Sequence, residues 1–300
     1  MSESNIQTIK SSSSTMFDDI KSQNQFRQII GKFMKHKLAV AGLIFTLFLL
    51  VIAVLVPFIT PYSPTEVTGN FAAPPNSENW LGTDQLGRDI LSRLIYATRI
   101  SVIVGFGTVA VYVTFGTIIG LLSAYYGGWV DMMMMRITDM FMAFPFMVVI
   151  LVVVSIVGPS LPSIIFVLAL FSWPSIARLV RGSVLSIKQS DYIKAAVSLG
   201  YSTPRILFKH ILPNATGPII VNGTFGLAAA ILTESGLSFL GMGVQPPTPT
   251  WGNMLTEAQS ISVLSSQPWL WVPAGLMILL TVLAVNFVGD GLRDAFDPKQ

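Results

Sequence analysis

Between Leu38 and Thr65 no residue is charged, and the apolar part of this run reads LAVAGLIFTLFLLVIAVLVPFI. A bilayer core about 30 Å thick needs about 20 helical residues at about 1.5 Å each, so this run alone is long enough to cross. The constraint recurs along the chain. Ile100 to Val130 is also free of charge and holds a second span, ending near Tyr125, Tyr126 and the Gly127-Gly128 break. Met140 to Ala177 is too long for one helix, and GPSLP at Gly158 to Pro162 divides it into a third and a fourth span. Ile211 to Thr233 supplies a fifth, with an irregular start at Pro213, Gly217 and Pro218, and Pro268 to Gly289 a sixth. The expectation is an all-α integral membrane protein of six transmembrane helices.

Composition agrees. The 300 residues are 52% hydrophobic and 11% charged, with a mean hydropathy of +0.66, whereas soluble domains are about one-quarter charged. That composition argues against a soluble enzyme. The chain has no Cys, so it has no disulfide framework, thiolate metal site or cysteine nucleophile.

Lys and Arg accumulate in short cytoplasmic segments. With the N-terminus inside, the cytoplasmic stretches hold 15 of the 18 basic residues. The other three, Arg88, Arg93 and Arg99, fall in the first outer loop, residues 61–99, beside Glu78, Asp84 and Asp89. Both termini are expected in the cytoplasm. The first apolar run exceeds a secretory h-region and follows a long polar stretch, so it reads as an uncleaved anchor. Residues 1–22 are Ser-rich and read as a disordered cytoplasmic tail. Within 23–37, Phe26, Ile29, Ile30, Phe33 and Met34 recur at helical spacing with Arg27, Lys32 and Lys35 on other faces, which predicts a basic amphipathic helix on the inner membrane surface. The remainder, 38–300, is the six-span domain.

The sequence contains no GxxxxGK[ST], HExxH or GxSxG, and its two histidines are His36 and His210. Phosphate-loop, zinc-hydrolase and serine-hydrolase patterns are therefore absent. Intramembrane acids would mark an ion relay, and the candidates are Asp139 and Glu234. Asp139 stands three residues after Arg136, a spacing that predicts a local ion pair. Glu234 falls at the outer end of the fifth span, within reach of water. A proton-coupled carrier or other secondary transporter would need coupling residues near the midplane and repeated halves, neither of which is evident. Gly116 and Gly120 form a GxxxG pattern suited to close helix packing, inside this chain or against a second one. Pro145 and Pro174 predict kinks.

The segment DYIKAAVSLGYSTPRILFKHILPN, Asp191 to Asn214, is too polar for a span and too patterned for a plain loop. Ser190 reads as the cap of a helix starting at Asp191, Gly200 as its left-handed stop, and Thr203-Pro204 as the start of another helix running to Pro213. Ile193, Ala196, Val197 and Gly200 share a face, and Ala195, Ala196 and Gly200 are small enough to admit a partner surface.

KAAVSLG followed by HILPN resembles the EAA loop of the membrane permeases of binding-protein-dependent ABC importers. The match runs through Ala195, Ala196, Gly200, Leu212 and Pro213, while Lys194 occupies the position of the family's Glu and His210 that of its Ile. The segments Leu81 to Ser101, Gly127 to Pro145, Ser235 to Leu255 and Asn286 to Lys299 also resemble the C-type permease of peptide and nickel importers. The resemblance implies the type I importer permease fold with cytoplasmic coupling helices within 183–212, and it implies that Asp191, Lys194, Ala195, Ala196, Gly200, Leu212 and Pro213 couple to an ATPase subunit. Further implied are a second homologous permease forming a heterodimer, two cytoplasmic ATPase subunits that use ATP and Mg, an extracellular substrate-binding protein, and a bacterial plasma or inner membrane location. This chain would bind no cofactor, metal or nucleic acid, would contact membrane lipid and would not itself be an enzyme. Oligopeptides or dipeptides are the expected cargo, with nickel, a metal chelate or an opine as the alternative. Trp251 and Gly252 on the outer side are expected to meet the binding protein, with Trp251, Trp269 and Trp271 read in preference as membrane-interface residues.

Overall fold

The computed structural model describes residues 27–297. The tail read at 1–22 and the start of the amphipathic segment at 23–37 lie outside the described residues. Residues 27–35 are helical, α1. Their Phe33 is buried and packs with Ile29 against Ala39, Ala295 and Leu292, while Ile30 and Met34 are exposed. Part of the apolar stripe thus grips the C-terminal helix, and part is left for lipid.

The first span is α2, Lys37–Ile59. His36 caps it, its Nδ1 accepting from the Ala39 N–H at 3.1 Å. The second, α3, is Ile90–Tyr126, 37 residues or about 55 Å at about 1.5 Å per residue. It starts ten residues before Ile100 because charges that break an apolar run need not break a helix. Arg93 lies along it with Asp84 beneath its guanidinium at 3.3 Å, and Asp89 caps it by accepting from the Ser92 N–H at 2.7 Å.

The third span, expected to be kinked at Pro145, is broken there into two helices. Helix α4, Gly128–Met142, and helix α5, Phe146–Val157, meet at 84°. The 12 residues of α5 reach only about 18 Å at about 1.5 Å each. Pro145, at the N-cap of α5, has no N–H with which to continue α4, so the kink expected there is a full change of direction.

Helix α6 is Leu161–Lys188, and α7 is Asp191–Ser198. Helix α8 runs without a break from Thr203 to Phe239, joining the second part of the polar segment to the fifth span. Residues Ile206–Ile211 are π-helical, a widening that lets the chain pass Pro213, where the usual hydrogen bond is missing. After the short α9, Trp251–Met254, and α10, Ile261–Ser266, comes α11, Val272–Phe296. Among the described residues, five helices are long and apolar enough to cross a membrane, six spans if the bent pair counts as one.

Close packing of α3 on α6 holds the bundle together. A Cβ at Gly120 would stand 2.5 Å from the Ala177 carbonyl oxygen, and one at Gly116 would stand 2.7 Å from that of Trp173. The GxxxG pair therefore packs within this chain. Trp251, Leu49, Ile90, Ile231 and Leu270 build one core. Trp173, Ile176, Val184, Ile193 and Ile211 build another at the end carrying α7. The loop before α3 and the helix α7 stand at opposite ends of α3.

Candidate coupling surface and outer face

The polar segment forms a short helix braced on the bundle. Ser190 occupies the N-cap position of α7, but its hydroxyl donates backward to the Ile187 carbonyl at 2.6 Å, so the predicted side-chain cap is absent. Asp191 sits in the first turn, where the helix dipole favours an anion. Lys194 pairs with it at 3.2 Å, both side chains being well exposed. The helix ends as predicted at Gly200, whose φ is +75°. The Tyr201 N–H bonds the Ala196 carbonyl and the Gly200 N–H that of Val197, the paired closure that a left-handed C′ residue permits. Ser202, not Thr203, stands at the cap position of α8, and Pro204 lies in its first turn.

The expected partner-facing stripe turns out to be two faces. Ile193 is 1% exposed and Ala196 5%, both directed into the bundle, where Ile193 joins Val184, Ile206 and Leu207. Ala196 is thus corrected from a docking contact to a packing residue, because apolar Ile193 and Ala196 at i and i+3 find their burial within the chain. The outward face is Tyr192, Ala195 and Leu199, spaced i, i+3 and i+7, with Val197 and Gly200 also exposed. Leu199 is 72% exposed. Leu212 is half-buried, and Pro213 is exposed. The Asn214 amide donates at 2.7 Å to the His210 carbonyl, in the turn that Pro213 disturbs. Tyr201 is gripped by the Arg205 guanidinium 4.3 Å from its ring centroid and by the stacked ring of His210, which stiffens the turn.

From this surface a chain of polar contacts leads into the membrane region. Lys188 donates to the Tyr125 carbonyl at 2.6 Å, and the Tyr125 hydroxyl reaches Thr203 at 3.4 Å. Arg181 of α6 holds both carboxylate oxygens of Asp131 of α4, at 2.6 and 2.7 Å, and the Ser123 hydroxyl donates to the same carboxylate. The predicted Arg136–Asp139 pair is not formed. Asp139 pairs instead with Arg178 of α6 at 2.6 Å, since a base preceding an acid is the weaker order along one helix and α6 brings a better-placed guanidinium. Two ion pairs thus join α6, which leads directly into α7, to the arm that changes direction at Pro145. The arrangement suits transmission of a displacement.

At the opposite end Trp251 and Gly252 are not a contact surface. Trp251 is fully buried, and a Cβ at Gly252 would stand 2.6 Å from Ser235 Cα. Thr250 and Asn253 form a capping box that turns the indole inward. Trp269 and Trp271 are half-buried against the same core. Glu234 is also corrected: it is fully buried rather than wet, accepting from the Ser238 hydroxyl at 2.6 Å. The helix end reaches water, but the α9 turn folds over this residue.

Sequence reasoning missed the apolar residues that this end does expose. Trp80, Phe71, Val67 and Leu86 project from the loop before α3, Trp80 at 72%. A Trp and a Phe in an otherwise polar loop were the available signal. The loop is rigid: Asp84 binds Arg88 at 2.7 Å, and Asn79 donates at 2.9 Å to the buried carboxylate of Asp89. Burial pushes the Glu257 carboxyl above its ordinary range and the negative charge of Asp84 adds to this, while Arg93 and Arg88 oppose it.

Residues 116–300 match the family described as binding-protein-dependent transport system inner membrane component, and residues 24–75 match the N-terminal TM domain of oligopeptide transport permease C. The chain is 41% identical to the dipeptide transport system permease protein DppC of Alkalihalophilus pseudofirmus, over 94% of this chain and 92% of that protein. It is 43% identical to the glutathione transport system permease protein GsiD of Pectobacterium atrosepticum, over 91% of each. In fold it resembles the inward-facing MetNI methionine ABC transporter, with a TM-score of 0.56 and 19% identity over 68% of this chain and 97% of that one.

Proposed function

Since the chain belongs to the family of binding-protein-dependent transport system inner membrane components, we propose that it forms half of the path of an ATP-driven importer of dipeptides or oligopeptides and receives its motion through α7. The peptide cargo is supported by its relatives, a dipeptide and a glutathione permease. A second, related permease supplies the other half of the path, and two ATPase subunits use ATP and Mg at the α7 end. A binding protein delivers cargo to the end bearing Trp80 and Phe71. This chain holds no cofactor and hydrolyses nothing; both termini lie on the ATPase side.

The observation that carries this reading is the outward face of α7, an exposed Tyr192, Ala195 and Leu199 on a helix whose other face is locked into the core. An exposed apolar face on a rigid mount is what a docking partner requires, and a solvated loop has no use for it. Closure of an ATPase dimer would then move α6 and α7 as one body and α4 with them.

The test is purification of the assembled importer with Leu199→Arg in this chain. The expected result is loss of the ATPase subunits from the purified complex and at least about a tenfold fall in peptide uptake, the effect of removing one central interface contact. Retention of both subunits and of uptake would refute α7 as the docking surface.

A further inference from the structure

The charge-free interior contains a second constellation, where α3, the α4–α5 break, α6 and α8 converge. They line a half-open cavity of about 450 Å³ with no charged residue in its wall, within the range of about 300–1,000 Å³ that small molecules occupy. Phe141, Phe144 and Phe171 give it an aromatic lining. Three polar side chains in that wall have hydrogen-bonding capacity that no described residue uses. Thr108 is 1% exposed and its hydroxyl has no partner. Tyr112 is 4% exposed, and its hydroxyl lies so close to Gly226 that a Cβ there would overlap it. Asn222 is half-buried and lines the cavity. The other hydroxyls there are turned to their own helices: Ser172 donates to Leu168 at 2.7 Å, Ser175 to Ser172 at 2.9 Å and Thr233 to Ala229 at 2.8 Å.

Asn222 and Phe225 also line a second cavity of about 400 Å³, which extends toward Arg293 near the α7 end. Together the two cavities follow α8 from Thr233 to Gly217, about 24 Å at about 1.5 Å per residue and most of a bilayer core about 30 Å thick. Polar groups left without partners at that depth are costly unless something passing or resident satisfies them.

We propose that Thr108, Tyr112 and Asn222 form a substrate station within the path, one that binds the uncharged peptide groups of the cargo rather than its ionised side chains. The proposal rests on the reading of the chain as a peptide permease. A carboxamide offers one acceptor and two donors, the complement of a peptide C=O and N–H. Hydroxyls that both donate and accept suit the same group, and the phenyl rings accept side chains of any sequence. A neutral station neither holds nor repels a charged residue strongly, as passage of varied peptides requires.

The experiment uses the complete importer in proteoliposomes, with the tripeptides Ala-Ala-Ala, Ala-Asp-Ala and Ala-Lys-Ala as probes. Asn222→Asp is expected to lower uptake of the acidic tripeptide relative to the basic one by about tenfold or more, and Asn222→Lys to reverse that ratio, since unit charges interact strongly where water is scarce. The ratio is independent of how much variant assembles. Unchanged ratios in both variants would overturn the station while leaving the peptide reading intact. Failure of the unaltered importer to move any of the three, or any of the dipeptides Ala-Ala, Ala-Asp and Ala-Lys, would overturn both.

Discussion

Gly200 carries the sharpest constraint on a single position. A Cβ there would meet no atom within 4 Å, yet its φ is +75°, so a substitution acts through the backbone and not through crowding. A non-glycine L-residue pays about 1–2 kcal/mol in this conformation, a β-branched one more, and Asn least. Gly200→Val should leave the chain inserted but uncouple the importer, with ATP-dependent uptake down about tenfold, whereas Gly200→Asn should retain most of it. Equal uptake for both variants would show that the α7 turn carries no coupling. Glu257 makes a second residue-scale prediction. Its folded carboxyl titrates above the ordinary value of 4.5, through burial and Asp84. Below that value folded and unfolded states both hold the proton. As the pH rises past it, the unfolded chain ionises first, so stability falls until the folded group ionises too and is constant thereafter. Glu257→Gln should therefore raise the thermal midpoint in detergent at about pH 8, and the gain should vanish near about pH 4. A gain that grows toward acid pH would contradict this placement.

At the scale of elements, α4 and α6 are joined by two ion pairs of unequal weight. Arg181 is about one-third exposed and Asp131 less, and the two are bonded twice, while Arg178 and Asp139 are both about half exposed. Asp131→Asn should cost about 1–2 kcal/mol and Asp139→Asn under about 1 kcal/mol, after allowance for solvent screening. Thermal unfolding of the two variants in detergent would rank them, and a larger loss for Asp139→Asn would invert the assignment. These pairs also mark where sequence reading stopped. The apolar runs gave the spans because length and lack of charge are local properties. The partner of Asp139 was not local: an acid three residues after Arg136 looks paired until α6 supplies Arg178. Pro145 announced a kink, but 84° depends on what α4 and α5 pack against. Trp251 and Glu234 were read as surface residues because α9, which folds inward over them, is too short to show periodicity. On α7 the helix and its glycine stop were legible, but which face docks was not, since Ala195 and Ala196 are alike until the bundle buries one of them.

For the whole molecule, the chain is suited to a direct test of which end faces the cell interior. With no native Cys, a single introduced thiol reports one site. The sequence count of 15 of 18 Lys and Arg in the segments expected to be cytoplasmic, α7 among them, predicts that the α7 end faces the cell interior. Trp80 and Leu199, each 72% exposed, stand at opposite ends of α3. Trp80→Cys should react with a membrane-impermeant maleimide on intact cells, and Leu199→Cys only after the membrane is opened. In the assembled importer, bound ATPase subunits should slow labelling of Leu199→Cys by about tenfold or more, because an interface core excludes water and reagent alike. The same subunits should leave Trp80→Cys unaffected. The reverse labelling order would place α7 outside, out of reach of any cytoplasmic ATPase, and the coupling role of the helix would fall with it. Because α3 runs unbroken between the two ends, both labels report on one rigid axis, so no rearrangement of the loops can account for such a result.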